Sequence, residues 1–253
     1  MKLGLENKVA LVTGGSRGIG AAICRALAAE GVRVGVNCRT RRDLADALVA
    51  EIEETSPGKA LALPADLADG AQIPPMFDQL EAAFGPVDIL VNNAAVCPSG
   101  PITSYSQADW EATFNINVTA AFLASREHVR RLLDRGCPGK IVTIVSQAAF
   151  RGSTTGHLPY DASKGALVSF TVGLAREVAP QGIHVNAVAP GMTRTEMVAE
   201  TWEKNKERYL ERIPLRRIAE PEEIANVVVF LASEAANYIT GATIDASGGM
   251  LMR

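Results

Sequence analysis

The sequence alternates between short apolar, β-branched runs and longer segments with helical periodicity, almost to its last residue. Seven runs predict buried strands, at 9–13, 32–36, 60–63, 89–91, 141–145, 183–188 and 243–244. Helical segments lie between them, among them 19–30, 41–54, 73–84, 110–133 and 158–179. Strands that are apolar on both faces and are joined by helices form a parallel sheet covered on both sides. The predicted fold class is therefore α/β, a doubly wound parallel sheet with helices on both faces.

No feature of the sequence marks a domain boundary. The 253 residues contain no linker rich in Pro, Ser or Gly, no low-complexity tract and no internal repeat. A content of 47% hydrophobic and 21% charged residues is typical of a folded protein. We predict a single domain over 1–253, with a cofactor half at about 1–140 and a catalytic and substrate half at about 141–253.

Charge, leader pattern and cysteine spacing exclude several classes of protein. A net charge of -3 provides no basic face for a nucleic acid backbone. The first residues lack the pattern of a secretory signal, and no run of about 18 apolar residues could span a bilayer. Cys24, Cys38, Cys97 and Cys137 lack the spacing of a metal site or disulfide framework. We expect a cytoplasmic protein without a metal, a nucleic acid partner or a membrane partner.

The first strand leads into a glycine-rich turn and then into a helix. The turn reads Gly14-Gly15-Ser16-Arg17-Gly18-Ile19-Gly20. Glycines let the backbone approach a pyrophosphate closely, and the N-terminus of the helix attracts the anion. The alternative is an ordinary tight turn, but the flanking strand and helix favour a dinucleotide.

The residues at the end of the second strand indicate which group the cofactor carries at the 2' position of its ribose. The stretch reads Val36-Asn37-Cys38-Arg39, with no carboxylate for a 2'-hydroxyl. Arg39 and Arg17 are both placed to meet a 2'-phosphate, to which a guanidinium makes forked, charge-assisted contacts. We expect Arg41 and Arg42 to be solvated surface charges. This pattern favours NADP(H) and makes NAD(H) the weaker candidate.

Tyr160 and Lys164 lie four residues apart in a segment with helical periodicity, so their side chains emerge on one face. A nearby ammonium favours the phenolate and should lower the pKa of Tyr160 from its usual value near 10. Such a pair can act as an acid and base near neutrality. The alternative is a surface pair without a catalytic role.

Ordered motifs along the whole chain resemble those of the short-chain dehydrogenase/reductase family. They are TGGSRGIG, Asp66-Leu67, Asn92-Asn93-Ala94-Ala95, Asn117, Ser146, YDASK and Pro190-Gly191. The resemblance implies a single Rossmann-like domain and hydride transfer between a nicotinamide cofactor and a carbonyl or secondary alcohol.

The resemblance also implies four catalytic residues. Tyr160 would exchange a proton with the substrate oxygen, and Ser146 would donate a hydrogen bond to that oxygen. Lys164 would hold the nicotinamide ribose and lower the Tyr160 pKa. Asn117 would hold a water that connects the lysine to solvent.

Two of these assignments have rivals in the sequence. Asn115 is the rival of Asn117, which fits better because Val-Thr-Ala follows it as in the family. Ser153 is a minor rival of Ser146, because the stretch up to Tyr160 is slightly longer than usual. Ser146 is preferred since it directly follows a strand.

To the contacts at the glycine turn and the second strand, the resemblance adds others as far as the segment after the sixth strand, so that the predicted cofactor contacts span most of the chain. They are Gly14, Ser16, Arg17, Gly18, Ile19, Gly20, Asn37, Arg39, Asp66, Leu67, Asn93, Ala94, Tyr160, Lys164, Pro190, Gly191, Met192, Thr193 and Thr195. Asp66 has an alternative role as a turn or helix-cap carboxylate.

The closing part of the sequence, from 213 to 250, resembles the 3-oxoacyl-[acyl-carrier-protein] reductase branch. A carrier-bound ketoacyl chain is therefore the leading substrate, although Pro180-Gln181 stands where that branch often has a basic docking residue. A docking patch of Arg130, Arg131 and Arg135 has as its alternative the solvated face of a helix.

Two other functions stay open. Gln147, Arg151, His157 and Ser99 could recognise hydroxyl groups, as in a sugar or polyol dehydrogenase. A nucleotide-binding sensor without turnover is the third hypothesis, since a fold does not fix a function.

Two expectations concern assembly and motion. The resemblance, together with apolar residues such as Leu167, Phe170 and Leu174 beyond one core-facing stripe, predicts a homotetramer. Segment 195–213 is predicted to form a mobile lid, with Trp202 and Tyr209 on one helical face. The alternative for this segment is a permanently docked surface helix.

Overall fold

Seven parallel strands form one sheet in the order β3-β2-β1-β4-β5-β6-β7. The structure is a computed structural model that describes residues 2–154 and 156–252, with the side chains of Glu200 and Thr201 also outside the described part. The strands are β1 (Val9–Val12), β2 (Arg33–Cys38), β3 (Lys59–Pro64), β4 (Ile89–Asn92), β5 (Gly139–Ile144), β6 (Ile183–Pro190) and β7 (Thr243–Ala246). The predicted doubly wound parallel sheet is confirmed.

Helices connect the strands and cover both faces of the sheet. They are α1 (Gly18–Ala29), α2 (Arg42–Thr55), α3 (Ile73–Phe84), α4 (Gln107–Phe114), α5 (Ala120–Arg135), α6 (Ala148–Arg151), α7 (Leu158–Val178), α8 (Glu196–Arg212) and α9 (Pro221–Ala232). The first and last residues of the predicted domain lie outside the described part of the chain. Within that part, no helix is long and apolar enough to cross a bilayer.

Two apolar cores lie on opposite faces of the sheet. On one face, Ile23 and Leu27 of α1 pack with Val228 of α9. On the other face, Phe77 and Leu80 of α3 pack against the strands together with parts of α5 and α7. Strands buried on both faces need continuous apolar runs, and this is the reason why the sequence does not alternate along them.

The predicted helix at 110–133 is wrong in one respect, because it is not continuous. A capping box of Ser106 and Asp109 starts α4 earlier than predicted, and a π-helical segment, Asn115–Thr119, separates α4 from α5. Such wide turns occur often at functional sites. Here the π-helical segment contains the buried Asn117.

Candidate active site

A cleft of about 320 Å³ opens where the strand order reverses between β1 and β4. Ligands of doubly wound sheets bind at this switch point, beyond the carboxyl ends of the strands. Of the predicted cofactor residues, all except Met192 line the cleft. Met192 lines the neighbouring cavity instead.

The glycine turn has the shape that a phosphate group needs. Gly14 and Gly18 have φ values of +60° and +53°, in the region that favours glycine. A Cβ at Gly20 would collide with the carbonyl oxygen of Gly14 and the side-chain amide of Asn93. The backbone is therefore open to close approach at the N-terminus of α1, and the cleft fits a dinucleotide.

Two asparagines predicted to contact the cofactor use their side-chain amides to hydrogen-bond the backbone in and around this turn. The Asn37 amide accepts from Gly14 N at 3.1 Å and donates to the carbonyls of Leu63 and Ala65. The Asn93 amide donates to the carbonyls of Thr13 and Gly14, each at 3.0 Å. Both residues border the cleft, but their amide groups hold the turn in shape.

The end of the cleft beside β2 carries the basic residues. Arg39 is exposed and makes no ion pair with the residues that the structure describes. Arg17 donates to Glu196 of α8 at 2.6 Å. Arg41 and Arg42 pair with Asp43 and Asp46 on the exposed start of α2, as expected for surface charges.

Cys38 and Asp66 also border this end of the cleft. Cys38, the last residue of β2, is only 2% exposed and packs in the core. Asp66 accepts from Ala68 N at 3.0 Å, so it forms the turn that was its alternative role while it also faces the cleft.

Ser146 and Tyr160 lie where the cleft meets a second cavity of about 160 Å³, and both residues line both spaces. Ser146 follows β5, and Tyr160 lies in the first turn of α7. Lys164, one turn further, lines the cleft and donates from Nζ to the Ile144 carbonyl at 2.7 Å. The predicted helical pair is thus in place, with Nζ 5.6 Å from the centroid of the Tyr160 ring.

The acidity of this pair differs from the sequence prediction. Burial raises the pKa of Tyr160 above its usual value, the nearby Cys97 acts in the same direction, and a hydrogen bond with Ser146 lowers it in part. Burial also lowers the pKa of Lys164 to about 8, so the ammonium itself is destabilised. The predicted lowering of the Tyr160 pKa by Lys164 is therefore not observed, and the phenol is protonated at neutral pH.

Asn117 and Lys164 meet at a third cavity, of about 10 Å³. The Asn117 amide is fixed by Val96, from whose N–H it accepts at 2.8 Å, and it donates to Ser163 Oγ at 2.9 Å. Asn92 also borders this cavity, and its buried Oδ1 has no partner among the described residues. A cavity of this size holds about one water, and such a water would satisfy Asn92.

Ser153 is excluded as the rival of Ser146. Its hydroxyl donates to Asp161 Oδ2 at 2.6 Å, and its backbone N–H donates to the same oxygen at 2.7 Å. These bonds fasten the loop before α7 to the helix. Ser146 keeps the predicted place at the junction of the two spaces.

The second cavity is lined by three of the four residues predicted to recognise hydroxyl groups, Gln147, Arg151 and His157. Ser99 is not among its described lining residues. The sequence analysis missed Arg212, which also lines the cavity. The available signal was its spacing of three residues from Tyr209, which places both on one face of the predicted lid helix.

Helix α8, the predicted lid, is docked over this cavity. Trp202 and Tyr209 are both buried in one apolar cluster with Ile213, although a kink at Asn205 lies between them. Met197 also lines the cavity. The side chain of Glu200, part of the lid prediction, lies outside the described residues.

Acidic neighbours neutralise the arginines of α5, which argues against the docking patch that was one of the two alternatives for them. Arg131 pairs with Asp78, Glu81 and Glu127 at 2.6 to 2.7 Å. Arg135 also pairs with Glu81, and Arg130 pairs with Glu127 and Asp134. Arg131 and Arg135 connect helix α5 to helix α3, whereas the ion pairs of Arg130 stay within α5.

The fold and the site define a class of protein, the nicotinamide-dependent oxidoreductases built on a doubly wound sheet. A family model described as Enoyl-(Acyl carrier protein) reductase matches residues 14–251. The chain belongs to the short-chain dehydrogenase/reductase family. It transfers hydride between a nicotinamide cofactor and a carbonyl or secondary alcohol.

Individual relatives cover nearly the whole chain. The 3-oxoacyl-[acyl-carrier-protein] reductase FabG of Aquifex aeolicus is 40% identical over 99% of this chain and 100% of its own length. A 3alpha-hydroxysteroid dehydrogenase of Mediterraneibacter gnavus is 39% identical over 96% of this chain and 97% of its own length. A solved Beutenbergia cavernae protein with bound NADP, described as an NAD(P)-dependent gluconate 5-dehydrogenase, is 36% identical with a TM-score of 0.91, covering 99% of each chain.

Proposed function

We propose that this protein reduces 3-oxoacyl thioesters with NADPH, and that Ser146, Tyr160, Lys164 and Asn117 carry the reaction. The observation that carries the proposal is the position of Ser146 and Tyr160, each of which lines both the cleft and the second cavity. A proton donor at this junction can reach a carbonyl oxygen whose carbon faces the cofactor. A sensor without turnover would not need this arrangement.

The mechanism follows from the protonation states of these residues. When bound, the nicotinamide supplies the hydride. Ser146 donates a hydrogen bond to the carbonyl oxygen of the substrate, and Tyr160 transfers its proton to that oxygen as negative charge develops. A phenol whose pKa is raised by burial begins in the protonated form that reduction requires. Tyr160 is therefore ready to act as the acid in carbonyl reduction.

Lys164 and Asn117 serve the return of the proton. The Lys164 pKa of about 8 lets the amine gain and lose a proton near neutral pH. The cavity of about 10 Å³ lies between Lys164 and Asn117, with space for one water. A water there would pass protons between solvent and Lys164 after each turnover.

The relatives support the thioester as substrate, with sugar acids as the second candidate. The 40% identity to the Aquifex aeolicus reductase extends over that enzyme's full length. The second candidate is favoured by a specific observation in the cavity, where the buried Oε1 of Gln147 has no partner among the described residues. A hydroxyl group of a sugar acid could donate to it.

A spectrophotometric panel tests the proposed function. Oxidation of NADPH would be followed with acetoacetyl thioesters, 5-ketogluconate, fructose and a 3-ketosteroid. We expect kcat/KM to be highest for a thioester. A ketose acid or steroid that is reduced at least tenfold more efficiently would contradict the proposed substrate but would leave the reaction class intact.

The cofactor preference is a separate proposal, supported by Arg39. This exposed side chain lines the cleft and has no ion pair in the described part of the chain. Arg39→Ala should raise the KM for NADPH about 10- to 100-fold, the effect of losing charge-assisted hydrogen bonds, and should barely change the KM for NADH. Arg42→Ala, which removes a neighbouring arginine paired with Asp46, is the matched control.

Cys38→Asp should also shift the cofactor preference from NADPH towards NADH. A carboxylate at this position repels a 2'-phosphate and accepts a hydrogen bond from a 2'-hydroxyl. Since Cys38 is buried, its stability should be measured alongside. Equal efficiency of the unchanged protein with NADPH and NADH would place the 2'-site elsewhere.

The lid proposal predicts a change in motion. Hydrogen exchange across 195–213 should slow when NADP(H) and a substrate analogue bind, because α8 then closes on a filled cavity. Trp202 fluorescence should change with it, measured in a Trp110→Phe background since the chain has two tryptophans. Equal exchange with and without ligands would leave α8 as a permanently docked helix.

We also propose a homotetramer in the cytoplasm. Leu167, one of the residues predicted to lie outside the core stripe, is buried in the core, so that part of the argument is wrong. Phe122 is exposed on α5 beside Phe170 of α7, and Val172 is exposed on the same helix. Light scattering should give four times the mass of 26.8 kDa, and a monomer in dilute solution would contradict the proposal.

A further inference from the structure

Two arginines line the 160 Å³ cavity without a carboxylate partner. Arg151 ends helix α6, and Arg212 lies in the last turn of α8. Arg151 donates from Nη1 to the carbonyl of Met250 at 2.9 Å, a neutral acceptor. Among the described residues, neither guanidinium forms an ion pair with Asp or Glu. Both share the cavity with Ser146 and Tyr160.

Most of the other arginines that the structure describes pair with a carboxylate. Those with an acidic partner are Arg17, Arg25, Arg41, Arg42, Arg130, Arg131, Arg135, Arg194 and Arg217. The chain contains 28 acidic residues against 25 lysines and arginines, so acids are not in short supply. Arg151 and Arg212 belong to the minority of described arginines that lack such a partner, as does Arg39 in the cofactor cleft.

The two unpaired arginines act on each other. Partial burial is the larger cause that lowers the pKa of Arg151, and the positive charge of Arg212 lowers it further. Holding two like charges beside one cavity is unfavourable, and an anion between them would remove the repulsion. The carboxylate in the same wall, Asp161, accepts two hydrogen bonds from Ser153 through Oδ2.

We propose that Arg151 and Arg212 form an oxyanion subsite that binds a carboxylate or phosphate carried by the substrate. The subsite and the unpartnered Oε1 of Gln147 together select a carbonyl compound with an anionic group and a hydrogen-bond donor. The inference rests on the proposed function, because Ser146 and Tyr160 mark where the carbonyl lies. The anion is either the carboxylate of a sugar acid or a phosphate of the thioester carrier.

The test compares substrates that differ in charge. One pair is acetoacetyl-CoA and acetoacetyl-N-acetylcysteamine, and the other is 5-ketogluconate and fructose. For each pair, the ratio of kcat/KM for the anionic to the neutral member is measured in the unchanged protein, in Arg151→Met, Arg212→Met and the double variant. Arg130→Met, a remote arginine paired with Glu127 and Asp134, is the control.

The double variant should lower this ratio about 10- to 100-fold in one of the pairs, as expected for the loss of charge-assisted hydrogen bonds, while Arg130→Met leaves it unchanged. The pair that responds identifies the source of the anion. Ratios that stay constant in both pairs would overturn the subsite. Calorimetric titration of the NADP+-loaded protein with the same compounds gives this comparison without turnover.

The same experiment separates failure of the subsite from failure of the proposed function. If the protein reduces both thioesters and substitution of the two arginines leaves their ratio unchanged, the subsite is wrong and the proposed function stands. Suppose instead that the protein reduces neither thioester and that the arginine substitutions lower the ratio only for 5-ketogluconate and fructose. The subsite would then stand, and the proposed function would be rejected.

Discussion

Tyr160→Phe is expected to reduce kcat for carbonyl reduction by about 100- to 10,000-fold, the usual contribution of a positioned general acid. The substitution removes the transferable proton and leaves the ring. Tyr160 lines both the cleft and the second cavity, and in the proposed mechanism its hydroxyl meets the reacting oxygen. The dissociation constant for NADPH, measured by fluorescence titration, should change by less than about threefold.

Tyr105→Phe provides the matched control. The Tyr105 hydroxyl donates to the Gly156 carbonyl at 2.9 Å, in the loop before α7, so the same atom is deleted near the site without loss of a proton donor. We expect only a few-fold change in kcat for this variant. If Tyr160→Phe kept more than about a tenth of the activity, another acid would have to protonate the substrate, and the proposed mechanism would be wrong.

The sequence predicted the architecture well because the physical signals are local. A strand buried on both faces must be apolar throughout, and a glycine turn that admits a phosphate cannot carry side chains. Seven strands and the glycine turn were therefore visible as patterns. The break at Asn115–Thr119 was not, because a π-helical segment of five residues is too short to show its own periodicity in the sequence.

The site was less predictable where chemistry depends on surroundings. The pKa of Tyr160 is set by how deeply the ring is buried, which spacing from Lys164 does not reveal. The roles of Asn37 and Asn93 depend on which backbone groups face their amides. For the arginines of α5 the sequence left a docking patch and a solvated helix face as alternatives, because the α3 carboxylates that pair with Arg131 and Arg135 are about 50 residues away in the chain.

A buried histidine should make the protein acid-sensitive well above the range in which carboxylates titrate. His128 of α5 is completely buried and stacks on Phe77, and neither ring nitrogen has a well-formed hydrogen bond to a described residue. Burial lowers its pKa from 6.5 to about 3, the charge of Arg135 acts in the same direction, and Glu81 and nearby backbone groups oppose it. The folded protein therefore holds this ring neutral.

The sign of the effect follows from proton binding. Above pH 6.5 the ring is neutral in both states, so it makes no difference to the free energy of unfolding. Below pH 6.5 the ring becomes protonated in the unfolded chain but stays neutral in the folded protein. The free energy of unfolding therefore falls by up to about 1.4 kcal/mol per pH unit, until the pH reaches the folded pKa of about 3. By pH 5 the loss should be about 2 kcal/mol.

Urea unfolding of the unchanged protein and of His128→Leu, at pH 7.5, 6.5, 5.5 and 5.0, measures this directly. His128→Leu replaces the ring by an apolar side chain and should remove most of the slope over this range, which lies above the carboxylate pKa values. It should be about as stable at pH 7.5, because the two buried ring nitrogens that it eliminates lack a well-formed hydrogen bond. Parallel pH profiles for the two proteins would show that His128 is not the source of the acid sensitivity.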